Sequence, residues 1–310
     1  MHDLILKLRQ SIISVDVYTV TIMTVFSLMT VIFYPYVPMA SSVLYQNVLI
    51  GAAIVATILL ESLTGMRVFL MLRYFYVIPV IYLLYDQSQL LVKVIHSVDY
   101  DDALIVADRI IFRTDPTAWF DKFSFPALTE YLQICYFLFY VLPIMQAVEL
   151  WKRNDIDKLE LFVRGISFCF FISYLLYFAM PAIGPRFTLH DYSSINSDLP
   201  GLFVTNLFRG IIDAGGGITL GSPDPASMVN RDCMPSGHTM MTFANIILAF
   251  RNRSRFRWSF VVIGGSLIIS TVYLRYHYGV DVIVGAILAA LVLPLEPIID
   301  RLSRKMTDWS

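Results

Sequence analysis

Two short polar runs hold the residues best equipped for chemistry: Pro235-Ser236-Gly237-His238-Thr239, and Tyr273-Leu274-Arg275-Tyr276-His277-Tyr278-Gly279-Val280-Asp281. Each abuts a strongly apolar stretch, where an ionisable side chain is costly unless a neighbouring charge, an aqueous cavity or a ligand compensates it. His277 and Asp281 are four residues apart, which on a continuous helix puts them on one face. There the carboxylate accepts from one ring nitrogen and leaves the other for a substrate, making the imidazole a candidate nucleophile. The first run differs in character. Ser236 supplies a hydroxyl, Gly237 lets backbone approach a ligand, and the amides at a helix start favour an anion. Such a turn suits a phosphate and leaves His238 to donate a proton to a leaving oxygen. Arg186, in Gly184-Pro185-Arg186, and Arg275 offer fixed charge and paired donors for phosphoryl oxygens, although Arg186 also suits a headgroup anchor.

The elements that position these residues are written in the composition. The 310 residues are 57% hydrophobic and 15% charged, with a mean hydropathy of +0.67, far more apolar than a water-soluble domain. Apolar runs recur at 15–35, 44–64, 67–85, 129–149, 162–181, 237–250, 257–276 and 281–299. They lack the alternation of a transmembrane barrel. The chain therefore reads as an all-α polytopic membrane protein with about eight transmembrane helices. The first run has no small-residue cleavage site after it and reads as a retained helix.

Basic residues cluster before the first span (Lys7, Arg9), at Arg67, at Lys152, Arg153, Lys158 and Arg164, at Arg251, Arg253, Arg255 and Arg257, and after the last span (Arg301, Arg304, Lys305). With eight spans all fall on one side, which the positive-inside rule makes cytoplasmic, together with both termini. Segments 86–128 and 182–235 then lie on the outer side. So do His238, opening the sixth span, and His277, closing the seventh: a helical hairpin brings them to one membrane boundary.

Other features carry less. The mixture of acids and apolar residues from Val98 to Phe125 suits an interfacial amphipathic helix or a compact extramembrane cap, with a simple solvated connection favoured over a lid on a lipid entrance. His190, Asp191, Arg209, Arg231 and Asp232 read as loop or solvated groups. Gly215-Gly216-Gly217 is a turn region without the Lys of a P-loop. The three cysteines have no paired spacing and read as packing residues. Neither a His-Glu-x-x-His unit nor a Gly-x-Ser-x-Gly elbow is present, so zinc and serine hydrolysis have no local signature. The formal charge of −1 gives no argument for nucleic acid.

The two runs together resemble motifs of the type 2 phosphatidic acid phosphatase superfamily of membrane lipid phosphatases and phosphotransferases. Pro235-Ser236-Gly237-His238 matches the second motif without substitution, and Ser270-Thr271 through His277 and Asp281 is similar to the third. The resemblance implies a six-helix catalytic core over 67–299, preceded by a two-helix extension at 1–66 and followed by a cytoplasmic tail at 300–310. It also implies His277 as nucleophile forming a phosphohistidine, Asp281 as its orienting group and His238 as general acid. Ser236, Gly237, Arg186 and Arg275 would bind phosphate, with neither metal nor cofactor. Thr271 stands where the family has an arginine, and Ala179 where its first motif has a lysine. With Gly184-Pro185-Arg186, these departures resemble the branch that contains inositol phosphorylceramide synthases. The substrate expected is a lipid phosphate or pyrophosphate cleaved by water. The alternatives are transfer of a phosphoryl-headgroup to an alcohol acceptor and, from a different class, a transporter without catalysis.

Overall fold

The computed structural model describes residues 11–219 and 221–307, and these contain helices and no strand. Lys7 and Arg9 lie outside them. Among non-aqueous surroundings a segment must satisfy its backbone internally, which the apolar runs do as helices. The longer ones are α1 (Ser14–Ile32), α2 (Ala40–Thr64), α3 (Arg67–Phe75), α4 (Val77–Ile95), α5 (Asp101–Phe112) and α6 (Pro126–Phe137). They continue with α7 (Leu142–Lys152), α8 (Ile156–Leu176), α9 (Thr205–Gly215), α10 (Gly237–Arg251), α11 (Arg257–Tyr273) and α12 (Gly279–Thr307).

Every apolar run coincides with one helix or a consecutive pair. Among the described residues five are long and apolar enough to cross a membrane, α3 and α4 counting as one, and the α6–α7 pair, bent by 51°, is a sixth where it is counted as one span. The chain is thus an integral membrane protein. The expected count of eight included α10 and α11, which have only 15 and 17 residues, short of the roughly 20 that span a bilayer. The break between α6 and α7 precedes Pro143, which cannot donate to the ladder and sits at the start of the new helix.

The chain divides into two compact units. The first comprises the described residues up to 95, then 155–175 and those from 291 onward. Its apolar helices are tied by polar groups. Asn47 donates to Ser27 Oγ at 2.9 Å and accepts from Gln87 at 2.9 Å. Arg73 meets Asp16 at 2.6 Å, both buried, and Arg164 meets Glu296 at 3.0 Å and also Asp300, which bonds Ser14. The starts of α1 and α8 therefore lie at the same end as the close of α12.

The second unit, 96–154 with 176–290, holds both polar runs. Its centre is the hairpin of α10 and α11, closed so tightly that a Cβ on Gly264 would fall 2.8 Å from Thr242 Cγ2. Glu149, at the end of α7, fastens the hairpin turn by accepting from Ser254 Oγ and from the Arg255 amide at 2.9 Å. Helix α6 packs on α11, where the Thr129 and Tyr273 hydroxyls meet at 2.8 Å.

The segment from Val98 to Phe125 is more than a solvated connection. Asp101 and Asp108, seven residues apart on α5, are both buried. Asp101 accepts from the amides of Ile183 and Gly184 at 3.0 and 2.8 Å and from the Tyr278 hydroxyl at 2.7 Å. Asp108 accepts from the amides of Gly279 and Val280 at 2.9 and 2.7 Å. These are the orphan donors at the start of α12, so Asp108 acts as its N-cap from another element.

Candidate active site

Ser236 is the N-cap of α10: its Oγ accepts from the Thr239 amide at 3.2 Å. This leaves Gly237 and His238 in the first turn, with the positive end of the helix beneath them. A Cβ on Gly237 would fall 2.5 Å from the Tyr177 hydroxyl, so a larger residue there would displace that ring. Helix α12 crosses the same turn at Gly285, whose Cβ would fall 2.7 Å from the Ser236 carbonyl, and the Ser236 amide donates to the Asp281 carbonyl at 3.3 Å. Gly285 thus lets the start of α12 approach the first polar run backbone to backbone.

The second run begins where α11 ends. Arg275 takes a left-handed conformation, φ 64°, an unusual position for a residue with a side chain. The turn is closed by the Thr271 carbonyl, which accepts from the Tyr276 and His277 amides, each at 3.0 Å. Thr271 Oγ1 bonds back to Ile268 at 2.7 Å, so it does not stand in for the family's arginine. Helix α12 starts only at Gly279, so His277 precedes it and Asp281 lies in its first turn. The two do not share a continuous helix face.

That offset changes what holds the imidazole. Nδ1 of His277 is 2.9 Å from the Cys233 carbonyl and 3.6 Å from Asp281 Oδ2. A carbonyl only accepts, so Nδ1 carries the proton and the Nε2 lone pair is left available. Nε2 in turn faces His238 Nδ1 at 3.5 Å. Asp281 is fully buried and accepts from the Cys233 thiol at 2.8 Å and the Tyr278 amide at 2.9 Å. Cys233, read from the sequence as packing, is a polar member of this cluster. Cys233, His277 and Asp281 offer ligand atoms within 4.8 Å of one another. His238 and His190 do not belong to that group.

His238 lies between aromatic rings, with Tyr136 stacked at 4.4 Å and Phe139 tilted at 4.3 Å. Its Nε2 is buried without a hydrogen-bond partner among the described residues, as is Asp281 Oδ1. Buried polar atoms of this kind call for an explanation, and a ligand supplies one.

The structure therefore brings Ser236, Gly237, His238, His277 and Asp281 together. It places the two arginines differently. Arg186 Nη1 is 2.5 Å from Asp213, and its guanidinium lies 4.7 Å over Tyr276, which stacks on Tyr136 at 4.4 Å. Two rings thus separate Arg186 from His238. Arg275 pairs with Asp198 at 2.8 Å and Asp121 at 3.0 Å. The hydrogen bond from Arg275 holds the Asp198 carboxyl below its ordinary range. His190 is bonded to Thr117 at 2.9 Å, and burial lowers its pKa.

Burial pushes Asp108 up to about 6 although two amides favour its charged form. The folded chain then binds this proton more tightly than the unfolded one, so the contribution of Asp108 to stability falls as pH rises from the ordinary carboxylate range through about 6. Asp108→Asn should flatten that slope in the detergent melting midpoint between pH 4.5 and about 7 while lowering stability by about 1 kcal/mol through the weaker cap. An unchanged slope would show that Asp108 does not titrate there.

The fold and the paired histidines define a polytopic membrane protein that brings His238 and His277 to within 3.5 Å of each other. The family model of the PAP2 superfamily matches residues 104–295, and the chain belongs to that superfamily. Membership supports lipid phosphatase or phosphotransferase chemistry in general. No curated protein and no solved structure matches the chain.

Proposed function

We propose that the protein is a membrane lipid phosphatase that cleaves a lipid phosphate or pyrophosphate through a phosphohistidine on His277. The observation that carries this reading is the opposition of His277 Nε2 and His238 Nδ1 at 3.5 Å. In the first step the Nε2 lone pair attacks phosphorus, the bond to the lipid oxygen breaks, and His238 gives that oxygen a proton. In the second, water attacks the phosphohistidine, loses its proton to His238 and restores His277. A phosphoryl group flanked by both nitrogens needs roughly 3 Å on either side, so the rings part when substrate enters. Asp281 stabilises the charge that develops on His277, directly at 3.6 Å and through the Cys233 thiol. Ser236 and Gly237 set the start of α10 against the phosphoryl oxygens.

Both the nucleophile and the acid are side chains, so the reaction is proposed to need no metal. Full activity in excess chelator is the expected outcome, and loss restored by a divalent ion would overturn it. The site is proposed to face the outer side, and both termini the cytoplasmic side.

One observation favours a second reading, transfer of a phosphoryl-headgroup to an alcohol as in the inositol phosphorylceramide synthase branch. Arg186 and Arg275 are already balanced by Asp213, Asp198 and Asp121, which suits a singly charged phosphodiester better than a dianionic monoester. Product analysis by mass spectrometry separates the two. The purified protein is given phosphatidic acid, a polyprenyl pyrophosphate and an inositol phospholipid, with and without an alcohol acceptor. Acceptor-independent phosphate supports hydrolysis, whereas a new acceptor phosphodiester with little free phosphate replaces it by transfer.

A further inference from the structure

Helix α9 is amphipathic in the inverted sense. Its charged residues, Arg209 and Asp213, turn inward. Arg209 is buried and donates to the Leu199 carbonyl at 3.1 Å and to Asn196, and Asp213 grips Arg186 and accepts from Tyr192 at 2.8 Å. The outward stripe is apolar: Phe203, just before the helix, is 89% exposed, Leu207 61% and Ile211 47%, at successive four-residue spacings. A helix facing water shows the opposite arrangement.

Its neighbour indicates what covers the stripe. Glu130 of α6 accepts from the amides of Leu202, Phe203, Val204 and Thr205 at 2.7 to 3.2 Å, capping the start of α9. Phe208, one turn on, lies flat on Phe137 of α6, with ring centroids 4.2 Å apart. Glu130 and Phe137 are separated by roughly 10 Å along a helix, and α6 is the first half of the bent span. Helix α9 therefore lies along α6, the first half of that bent apolar pair.

We propose that α9 is embedded in the leaflet on the site's side, its Phe203, Leu207 and Ile211 stripe packed against lipid acyl chains while its polar face holds Arg186. The helix is thus both the support of Arg186 and a surface in contact with the bilayer. Its control over Arg186 rests on the reading of the site given above. Its immersion does not.

The test uses the full chain in phosphatidylcholine vesicles. Leu207→Cys, Ile211→Cys and Pro223→Cys are each labelled with bimane, with the wild-type chain as control because its three cysteines are buried. Nitroxide groups on lipid acyl chains should quench the labels at 207 and 211 more than the one at 223, and aqueous iodide the reverse. Strong iodide quenching at 207 and 211 overturns the proposal. So does protection from both quenchers, which would mean that protein covers the stripe. A second measurement addresses Arg186. Leu207→Asp should lower turnover of a vesicle-borne lipid phosphate about tenfold or more, while Leu207→Phe keeps it. Acyl-chain quenching together with unaltered Leu207→Asp turnover would retain the immersion and remove the link to the site.

Discussion

Replacing His277 by asparagine is expected to reduce turnover by a factor on the order of 10⁴ or more, the largest effect of any single substitution in this chain. The loss follows from what Nε2 alone can do. Its lone pair is made available by the proton that Nδ1 donates to the Cys233 carbonyl at 2.9 Å, and no other nucleophile in the cluster is as well placed, since the Cys233 thiol is committed to Asp281 at 2.8 Å. Asparagine keeps an amide near Nδ1, able to donate to the same carbonyl, and presents no nucleophilic nitrogen. The fold should therefore survive while the chemistry stops. The measurement is paired: product formation from a lipid phosphate, and recovery of an acid-labile, base-stable phosphoryl adduct on the protein. The wild-type chain should yield the adduct on His277, and the variant should yield neither adduct nor product with its melting midpoint close to the parent's. Turnover retained within tenfold would remove His277 as the nucleophile and leave the transporter reading to be tested by lipid flux.

The residues that carry this argument were legible in the sequence to different degrees. The helices were legible because apolar runs in a membrane have only one backbone solution short of a barrel. The meeting of His238 and His277 followed from counting spans across the α10–α11 hairpin, and it survives although both helices are too short to span a bilayer alone. Cys233 was not legible. Its partner Asp281 is 48 positions away, and nothing in a lone cysteine distinguishes a thiol packed in a core from one bonded to a carboxylate. Tyr136 was hidden for the same reason, lying in an apolar run 102 positions from the His238 ring that it stacks against.

Asp101 and Asp108 did leave a signal. Their spacing of seven puts them on one face of α5, opposite the exposed Val106 and Ile110, so the polar face was the one to bury. The arginines show the reverse failure. Residue type made Arg186 and Arg275 phosphate clamps, yet three aspartates remote in sequence now hold them. Charge pairing over such distances is a property of the fold and has no local pattern. Asp198 and Asp121 must yield before Arg275 can meet a phosphate.

His238→Asn should cost about 10² to 10⁴ in turnover of a lipid phosphate, the usual contribution of a general acid, and the size should depend on the leaving group. An alkoxide leaves poorly without a proton, whereas a phenolate or a phosphate departs with little help. The deficit is therefore expected to be largest for a phosphatidic acid, smaller for a lipid pyrophosphate and smallest for an aryl phosphate. A purely structural role would lower all three alike, through loss of the stacking on Tyr136 and Phe139 at 4.4 and 4.3 Å. The second half of the reaction sharpens the distinction. The ring that protonates the departing oxygen must accept a proton from the incoming water or alcohol, so with an aryl phosphate His238→Asn should form the phosphohistidine readily and open it slowly. The adduct on His277 should then accumulate in the steady state, above its level in the wild-type chain, with a burst of released phenol that matches the enzyme concentration. Equal deficits across the three leaving groups, with no burst and no accumulated adduct, would remove His238 from proton transfer in both steps.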